Sequence, residues 1–179
     1  MAHIDLKNDL PGIRGLMSYR PETAAPLNLL AEILLRSDNS LSRGDRELIG
    51  AYVSWLNNCN FCQMVHSGMA QYYLQCDSDF IQSVKADYDS TSLSPKMKSL
   101  LAIAAAVQKG GKSVTEEHIK TARQNEATDM EIHDTVLIAA AFCMFNRYVD
   151  GLGTKVPDNP SYFVERAAYT AAQGYADFS

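Results

Sequence analysis

The chain has 179 residues, which is enough for one domain with a full hydrophobic core and requires no second domain. Its 46% hydrophobic and 21% charged residues are ordinary for a globular protein, and they exclude a disordered or fibrous chain. A net charge of −5, without any run of Lys or Arg, lacks the electrostatic footprint that binding to a nucleic acid requires.

Apolar residues recur at intervals of three and four along the chain, and this periodicity predicts an all-α fold. Turn residues and helix caps divide the pattern into helices at 21–35, 42–56, 59–74, 94–108, 115–125, 128–149 and 161–173. The first of these helices is expected to bury a stripe formed by Leu27, Leu30, Ile33 and Leu34. The last helix leads to an aromatic tail that is interpreted as a packing arm, with Tyr169, Tyr175 and Phe178.

The predicted helices form a single domain. It consists of an N-terminal helical segment at 1–40, a helical hairpin with the chemistry at 41–76, a second helical unit at 93–153, and a C-terminal helix and tail at 154–179. A weak internal duplication is a further hypothesis, because Leu41-Ser-x5-Leu48 recurs 52 positions later as Leu93-Ser-x5-Leu100. The second copy has Ser99 where the first has Glu47, so we expect chemistry only in the first.

Several features bear on the compartment. The longest apolar run, residues 136–145, is about half of the ~20 residues that a transmembrane helix needs. The first residues show neither the basic nor the apolar region of a signal peptide, and the four cysteines are too unevenly spaced for a disulfide framework. We therefore expect a cytoplasmic protein without a membrane partner, in which a CxxC pair is catalytic or metal-binding rather than structural.

Cys59, Cys62 and His66 form the pattern that points most directly to chemistry. At ~100° per residue, positions i, i+3 and i+7 of a helix fall within roughly 60° of one another, so two thiols and an imidazole share one face. A CxxC pair at a helix start is close enough for a disulfide, and the helix dipole with its free amides stabilises a thiolate. One thiol can attack and the other resolve, while His66 relays a proton.

Glu47 precedes the first cysteine by twelve positions and lies on the previous predicted helix. If the break at Asn57-Asn58 folds the two helices into an antiparallel pair, Glu47 lies roughly 16 Å and His66 roughly 12 Å from the turn. Glu47 is therefore expected to face His66 rather than Cys59. A carboxylate in that place would fix the imidazole orientation and raise its basicity.

These residues resemble a known family. The run Glu-x11-Cys-x2-Cys-x3-His lies within Leu41-Ser-Arg-Gly-Asp-Arg-Glu-Leu-Ile and is followed downstream by Phe145-Asn-Arg147-Tyr-Val-Asp150-Gly-Leu-Gly153. This pattern is similar to the AhpD-like alkylhydroperoxidase group of the carboxymuconolactone decarboxylase superfamily. The opening Pro11-Gly-Ile-Arg-Gly-Leu-Met-Ser-Tyr-Arg20 resembles its peroxidase-related subgroup, so the resemblance covers most of the chain.

The resemblance implies an all-α AhpD-like fold, homotrimers or homohexamers, and an antioxidant enzyme that reduces hydroperoxides or protein disulfides without a cofactor or metal. Cys62 would be the attacking thiol, Cys59 the resolving thiol, and Glu47 with His66 the proton relay. The disulfide would be reduced by a dithiol donor, a lipoyl-bearing protein in the best-known members, and such enzymes can also pass electrons to a peroxiredoxin. This chain departs from those members at Phe61, since they carry a second histidine between the cysteines. The departure bears on the rate and on the donor.

Three alternatives stay open at this point. Cys59, Cys62, His66 and Glu47 amount to four zinc ligands, although three ligands within two turns of one helix differ from the usual paired elements. A decarboxylase or lyase of the wider superfamily would use His66 and Glu47 as acid and base. A redox-sensing module without catalysis would use the two thiols alone.

The remaining candidate residues are interpreted as structural. Cys76 and Cys143 are expected to be bystanders, the second as a core hydrophobe. The other histidines have no visible partners in the sequence: His3, His118 and His133. Asn146 and Arg147 end an apolar helix face, where they would line a pocket or cap the helix end.

Overall fold

A computed structural model describes residues 2–175 of the chain. This part contains nine α-helices and no strand, which confirms the all-α prediction. The helices are α1 (Ile13–Tyr19), α2 (Pro21–Arg36), α3 (Arg43–Leu56), α4 (Asn60–Leu74), α5 (Ser78–Asp87), α6 (Pro95–Lys109), α7 (Glu116–Gln124), α8 (Asp129–Gly151) and α9 (Ser161–Gln173). None of these helices is long and apolar enough to cross a membrane.

The seven predicted helices are present, and each end lies within two residues of the predicted position. Two helices, α1 and α5, were not predicted. The start of α5 had a local signal, because the Asp77 carboxylate caps the helix by accepting from the amide of Phe80 at 2.8 Å. The helix α1 has only seven residues, of which the third is Gly15, so its sequence carries little helical periodicity.

Serine caps begin two central helices. The Ser42 hydroxyl accepts from the amide of Asp45 at 3.0 Å at the start of α3, and the Ser94 hydroxyl accepts from the amide of Met97 at 3.2 Å at the start of α6. The repeated Leu-Ser pattern thus marks the same local structure twice, a serine cap ahead of a buried helix. The internal duplication itself stays a prediction.

The helix α3 is the centre of the fold. It packs on α4, α6 and α8, and Ile49, Ala51 and Val53 have no exposed surface. One prediction for α2 is wrong, since Ile33 is 53% exposed. Leu34 of the predicted stripe is buried, and the buried face also includes Ala24, Asn28, Ala31 and Leu35. Small residues on this face leave room between α2 and the core.

The turn between α3 and α4 determines where the cysteines lie. Asn57 ends α3, Asn58 has φ of 58°, and the amide of Cys59 donates to the carbonyl of Ser54 at 3.0 Å. The side-chain amide of Asn57 donates to Oδ1 of Asn146 at 2.8 Å, and the side-chain amide of Asn146 donates to the Ser54 hydroxyl at 3.0 Å. Asn146 is therefore neither a helix cap nor a pocket residue. It fastens the turn to α8.

Two charged residues of α2 hold the end of α9 in place. The Arg36 guanidinium donates to the carbonyls of Thr170 at 3.0 Å and Ala171 at 2.9 Å in the last turn of α9. The Glu32 carboxylate accepts from Arg36 at 3.0 Å and from the amide of Tyr175 at 2.7 Å. These contacts return Tyr175 to the interior, as the packing-arm interpretation expects. Phe178, the other tail residue of that interpretation, lies outside the described residues.

Lys85 on α5 is a buried amine. Its side chain lies in the interior, with the residue only 5% exposed, and its Nζ donates to the Gln63 amide oxygen at 3.2 Å. Within residues 2–175 no carboxylate pairs with it. Burial lowers the pKa of Lys85 to about 8, because the charged form loses its hydration. The protonated amine is therefore a cost to the fold at neutral pH.

The Lys85→Met variant tests this cost. Between pH of about 8, where the folded lysine titrates, and 10.5, its ordinary pKa, the unfolded chain binds more protons than the folded chain. The free energy of unfolding of the wild type should therefore rise with pH in this window. The variant should gain about 1 to 3 kcal/mol at pH 7 and show a smaller rise, measured by urea unfolding. The control is Lys120→Met, at a lysine that is 65% exposed; equal behaviour of both variants would contradict the prediction.

Candidate active site

Both cysteines of the CxxC pair lie where α4 begins. Cys59 is the residue before the first helical position, and Cys62 lies in the first turn. Both are free thiols, and they are hydrogen-bonded to each other. The predicted position at a helix start is confirmed, so the open amides of the first turn face this dithiol region.

The two thiols have different environments. Cys59 has no exposed surface, whereas Cys62 lines a cavity of about 340 Å³ whose wall does not include Cys59. The hydrogen bond to Cys62 and burial raise the pKa of Cys59 well above the usual range of a thiol. Cys59 therefore keeps its proton and donates it toward Cys62. A ligand in the cavity meets Cys62 and not Cys59.

Glu47 and His66 are in direct contact, as the hairpin geometry predicted. Oε2 of Glu47 lies 2.7 Å from Nδ1 of His66, and Glu47 has no exposed surface. A third residue completes the group, because the hydroxyl of Tyr175 donates to Oε1 of Glu47 at 2.6 Å. Tyr175 is 128 positions away from Glu47 in the chain. The sequence offers no signal for this contact beyond the aromatic character of the tail.

The contacts within this group of Glu47, His66 and Tyr175 indicate which of its atoms carry protons. Burial, and then the charge of Glu47, raise the pKa of Tyr175 well above its ordinary value, so its hydroxyl stays protonated and donates to the carboxylate. The second carboxylate oxygen then accepts from Nδ1–H of His66. Nε2 is left as the acceptor nitrogen of the ring. His66 and Cys62 line the same cavity, so the imidazole and the thiol border a shared space.

The His66 ring is held on two sides. The Phe142 ring meets it edge-on with centroids 4.5 Å apart, and the Tyr175 ring stacks at 6.1 Å with an interplanar angle of 19°. Gly50 makes the first contact possible, because a Cβ at this position would lie 2.3 Å from the Phe142 ring. The imidazole therefore has little freedom to rotate away from Glu47.

Phe61, between the two cysteines, forms part of the cavity wall. It is 3% exposed and packs against Phe163 with ring centroids 6.3 Å apart. Gly12, with φ of 56°, lies so close that a Cβ there would be 2.2 Å from the Phe61 ring. An aromatic ring therefore lies between the two cysteines and joins the start of the chain to the hairpin.

The other cysteines and histidines lie outside the cavity. His118 contributes to the capping box of α7, and His133 contacts the neighbouring Asp134 at 2.9 Å. Cys143 accepts a hydrogen bond from the Asn57 amide at 3.6 Å. Among residues 2–175, no group of three or more His, Cys, Asp or Glu side chains has an arrangement that would hold a metal ion.

Several solved structures share this fold. With a TM-score of 0.78 and 23% identity, the chain is similar to the alkylhydroperoxidase AhpD core of an uncharacterized peroxidase-related protein from Ralstonia eutropha JMP134, over 88% of this chain and 81% of that one. An uncharacterized peroxidase-related protein from Silicibacter sp. TM1040 gives a TM-score of 0.75 and 20% identity, over 83% of this chain and 77% of that one. A putative antioxidant defence protein AhpD from Agrobacterium tumefaciens, of unknown function, gives a TM-score of 0.71 and 21% identity, over 80% of this chain and 97% of that one.

The curated proteins contain no match to this chain. The model of the Carboxymuconolactone decarboxylase family matches residues 21–72 and 79–153. These ranges contain Glu47, Cys59, Cys62 and His66, whereas Tyr175 lies beyond them. The fold is the AhpD-like all-α fold that the sequence predicts, and the chain belongs to the Carboxymuconolactone decarboxylase family.

Proposed function

We propose that this protein is an antioxidant thiol peroxidase that reduces organic hydroperoxides with the Cys59 and Cys62 dithiol. One observation carries the proposal. The cavity brings Cys62 together with His66, while Cys59 lies behind Cys62 and is hydrogen-bonded to it. An attacking thiol, a base and a resolving thiol are the three groups that dithiol peroxidase chemistry requires.

In the first step Nε2 of His66 accepts the thiol proton of Cys62. The thiolate attacks the terminal oxygen of the hydroperoxide, so that an S–O bond forms and the O–O bond breaks. The leaving alkoxide takes the proton back from the imidazolium. Cys62 ends as a sulfenic acid, and the hydroperoxide leaves as an alcohol.

In the second step the sulfur of Cys59 attacks the sulfenic sulfur of Cys62. An S–S bond forms, and hydroxide leaves with the thiol proton of Cys59 as water. The buried Cys59 is suited to this later role, because its proton is held until a leaving hydroxide is present to accept it. An external dithiol, such as a lipoyl-bearing protein, then supplies two electrons and two protons to restore both thiols.

Glu47 and Tyr175 act on the relay through His66. The carboxylate orients the ring and stabilises the imidazolium that forms in the first step. The Tyr175 hydroxyl shares the charge of Glu47, which moderates how strongly the imidazolium is held. The proton can therefore return to the alkoxide.

The cysteine variants test the proposed reaction. With dithiothreitol as reductant, Cys62→Ser should lose on the order of 100-fold or more in the rate of hydroperoxide consumption, because the nucleophile is gone. Cys59→Ser should form a sulfenic acid that dimedone traps, since no resolving thiol is present. Cys76→Ser, at a cysteine outside the cavity, is the matched control and should behave as wild type.

Two results would count against this reaction. Wild-type peroxidase activity no higher than that of Cys62→Ser would exclude the dithiol mechanism. A decarboxylase or lyase activity that survives replacement of both cysteines would support His66 and Glu47 as an acid and base pair instead.

The Tyr175→Phe variant tests the relay. It keeps the ring that stacks on His66 and removes only the hydroxyl that donates to Glu47. The carboxylate then holds the imidazolium more tightly, so the acid limb of the pH profile of kcat/KM should move to higher pH, with a loss of about 10-fold at pH 7. Tyr72→Phe, at a tyrosine that is 54% exposed, is the control. An unchanged pH profile would show that Tyr175 is only a packing residue.

A further inference from the structure

Two arginines lie in the wall of the cavity that holds Cys62. Arg14 comes from α1 and Arg166 from α9, and no described residue with a carboxylate lines the cavity beside them. The chain as a whole has a net charge of −5, so a positive cavity runs against its overall charge. Clefts lined by one sign of charge concentrate ligands of the opposite sign.

Arg166 lies within electrostatic reach of Arg14. Arg166 is half-buried, and burial followed by the charge of Arg14 lowers its pKa. The Arg166 guanidinium also lies 5.2 Å from the centroid of the Tyr169 ring, and this contact orients the arginine side chain. A partly desolvated guanidinium is stabilised by an anion, and the guanidinium fork of Arg166 matches a carboxylate.

Thr170 supplies an independent observation. It lies one helical turn after Arg166 on α9, lines the same cavity and is 1% exposed. Its hydroxyl has no hydrogen-bond partner among residues 2–175. Buried hydroxyl groups are rarely left without a partner, because the loss of hydration is costly. A polar ligand group in the cavity would supply that partner.

The rest of the wall is mostly apolar. Many of its side chains are aliphatic or aromatic, among them Ile13, Met17, Leu27, Phe61, Phe142 and Phe145. A ligand that fits this cavity therefore has an apolar body and one anionic end. At about 340 Å³, the cavity lies at the small end of ordinary ligand pockets.

We propose that the substrates are organic hydroperoxides with a carboxylate on an apolar body, a class that includes oxidised fatty acids. This inference rests on the proposed peroxidase function and names its substrate class. The carboxylate binds Arg166, with the hydroxyl of Thr170 beside it. The apolar body fills the cavity, and the hydroperoxide group lies at Cys62.

A pair of matched substrates tests the proposal. Cumene hydroperoxide and its 4-carboxy derivative differ only in the carboxylate, and both can be assayed with the full chain and dithiothreitol. The wild type should favour the carboxylate by about 10-fold or more in kcat/KM. Arg166→Gln should lower this preference by a similar factor, and Arg166→Lys, which keeps the charge without the fork, should lie between them. The control Arg147→Gln removes a charge from an exposed position outside the cavity and should retain the preference.

A binding measurement separates this inference from the catalytic proposal. Calorimetry on Cys62→Ser protein compares 4-isopropylbenzoate with the neutral 4-isopropylbenzamide, which requires no turnover. The acid should bind about 10-fold or more tightly, and Arg166→Gln and Thr170→Val should each reduce this difference. Turnover of neither hydroperoxide would overturn the proposed function. Equal turnover of both hydroperoxides, with equal binding of acid and amide, would overturn the substrate inference alone.

Discussion

The buried carboxylate of Glu47 is the constraint on which the site depends. A carboxylate without exposed surface is tolerated only if both of its oxygens are paired, and here each oxygen has one partner from a different part of the chain. His66 comes from the facing helix of the hairpin, and Tyr175 comes from beyond the last helix. Helix packing and tail docking are therefore fixed by the same group that orients the imidazole. Stability and chemistry share one set of contacts.

The CxxC pair shows how one helix start can give two different thiols. Cys59 belongs to the turn, where its backbone is tied to Ser54 and its sulfur is enclosed. Cys62 is three positions further, which on a helix is nearly one turn, and it reaches the cavity. The difference in environment arises from position alone. This difference supports the proposed roles of Cys62 as the attacking thiol and Cys59 as the resolving thiol, which sequence spacing and cysteine chemistry do not decide by themselves.

Local signals made most of the fold predictable. The caps at Ser42 and Ser94 mark helix starts, and the rise per residue on either side of the turn predicts that Glu47 faces His66. The prediction is less successful where two faces of one helix are both apolar, because only tertiary packing decides which face is buried. The helix α2 has apolar residues on two faces, and Ile33 lies on the face that is exposed. Contacts between distant segments, such as that of Tyr175 with Glu47, leave no trace in spacing, because neither residue is unusual in its own segment.

The contact of Glu32 with the amide of Tyr175 has a consequence for the order in which the site is completed. Ribosomes make the hairpin first, and the tyrosine whose hydroxyl lies 3.4 Å from Nδ1 of His66 follows that histidine by 109 positions. A nascent chain therefore holds both thiols and the imidazole long before it holds the donor to Glu47. Until α9 packs against α4 and Tyr175 reaches Glu47, the carboxylate lacks its second partner, so the group of Glu47, His66 and Tyr175 is complete only late in synthesis.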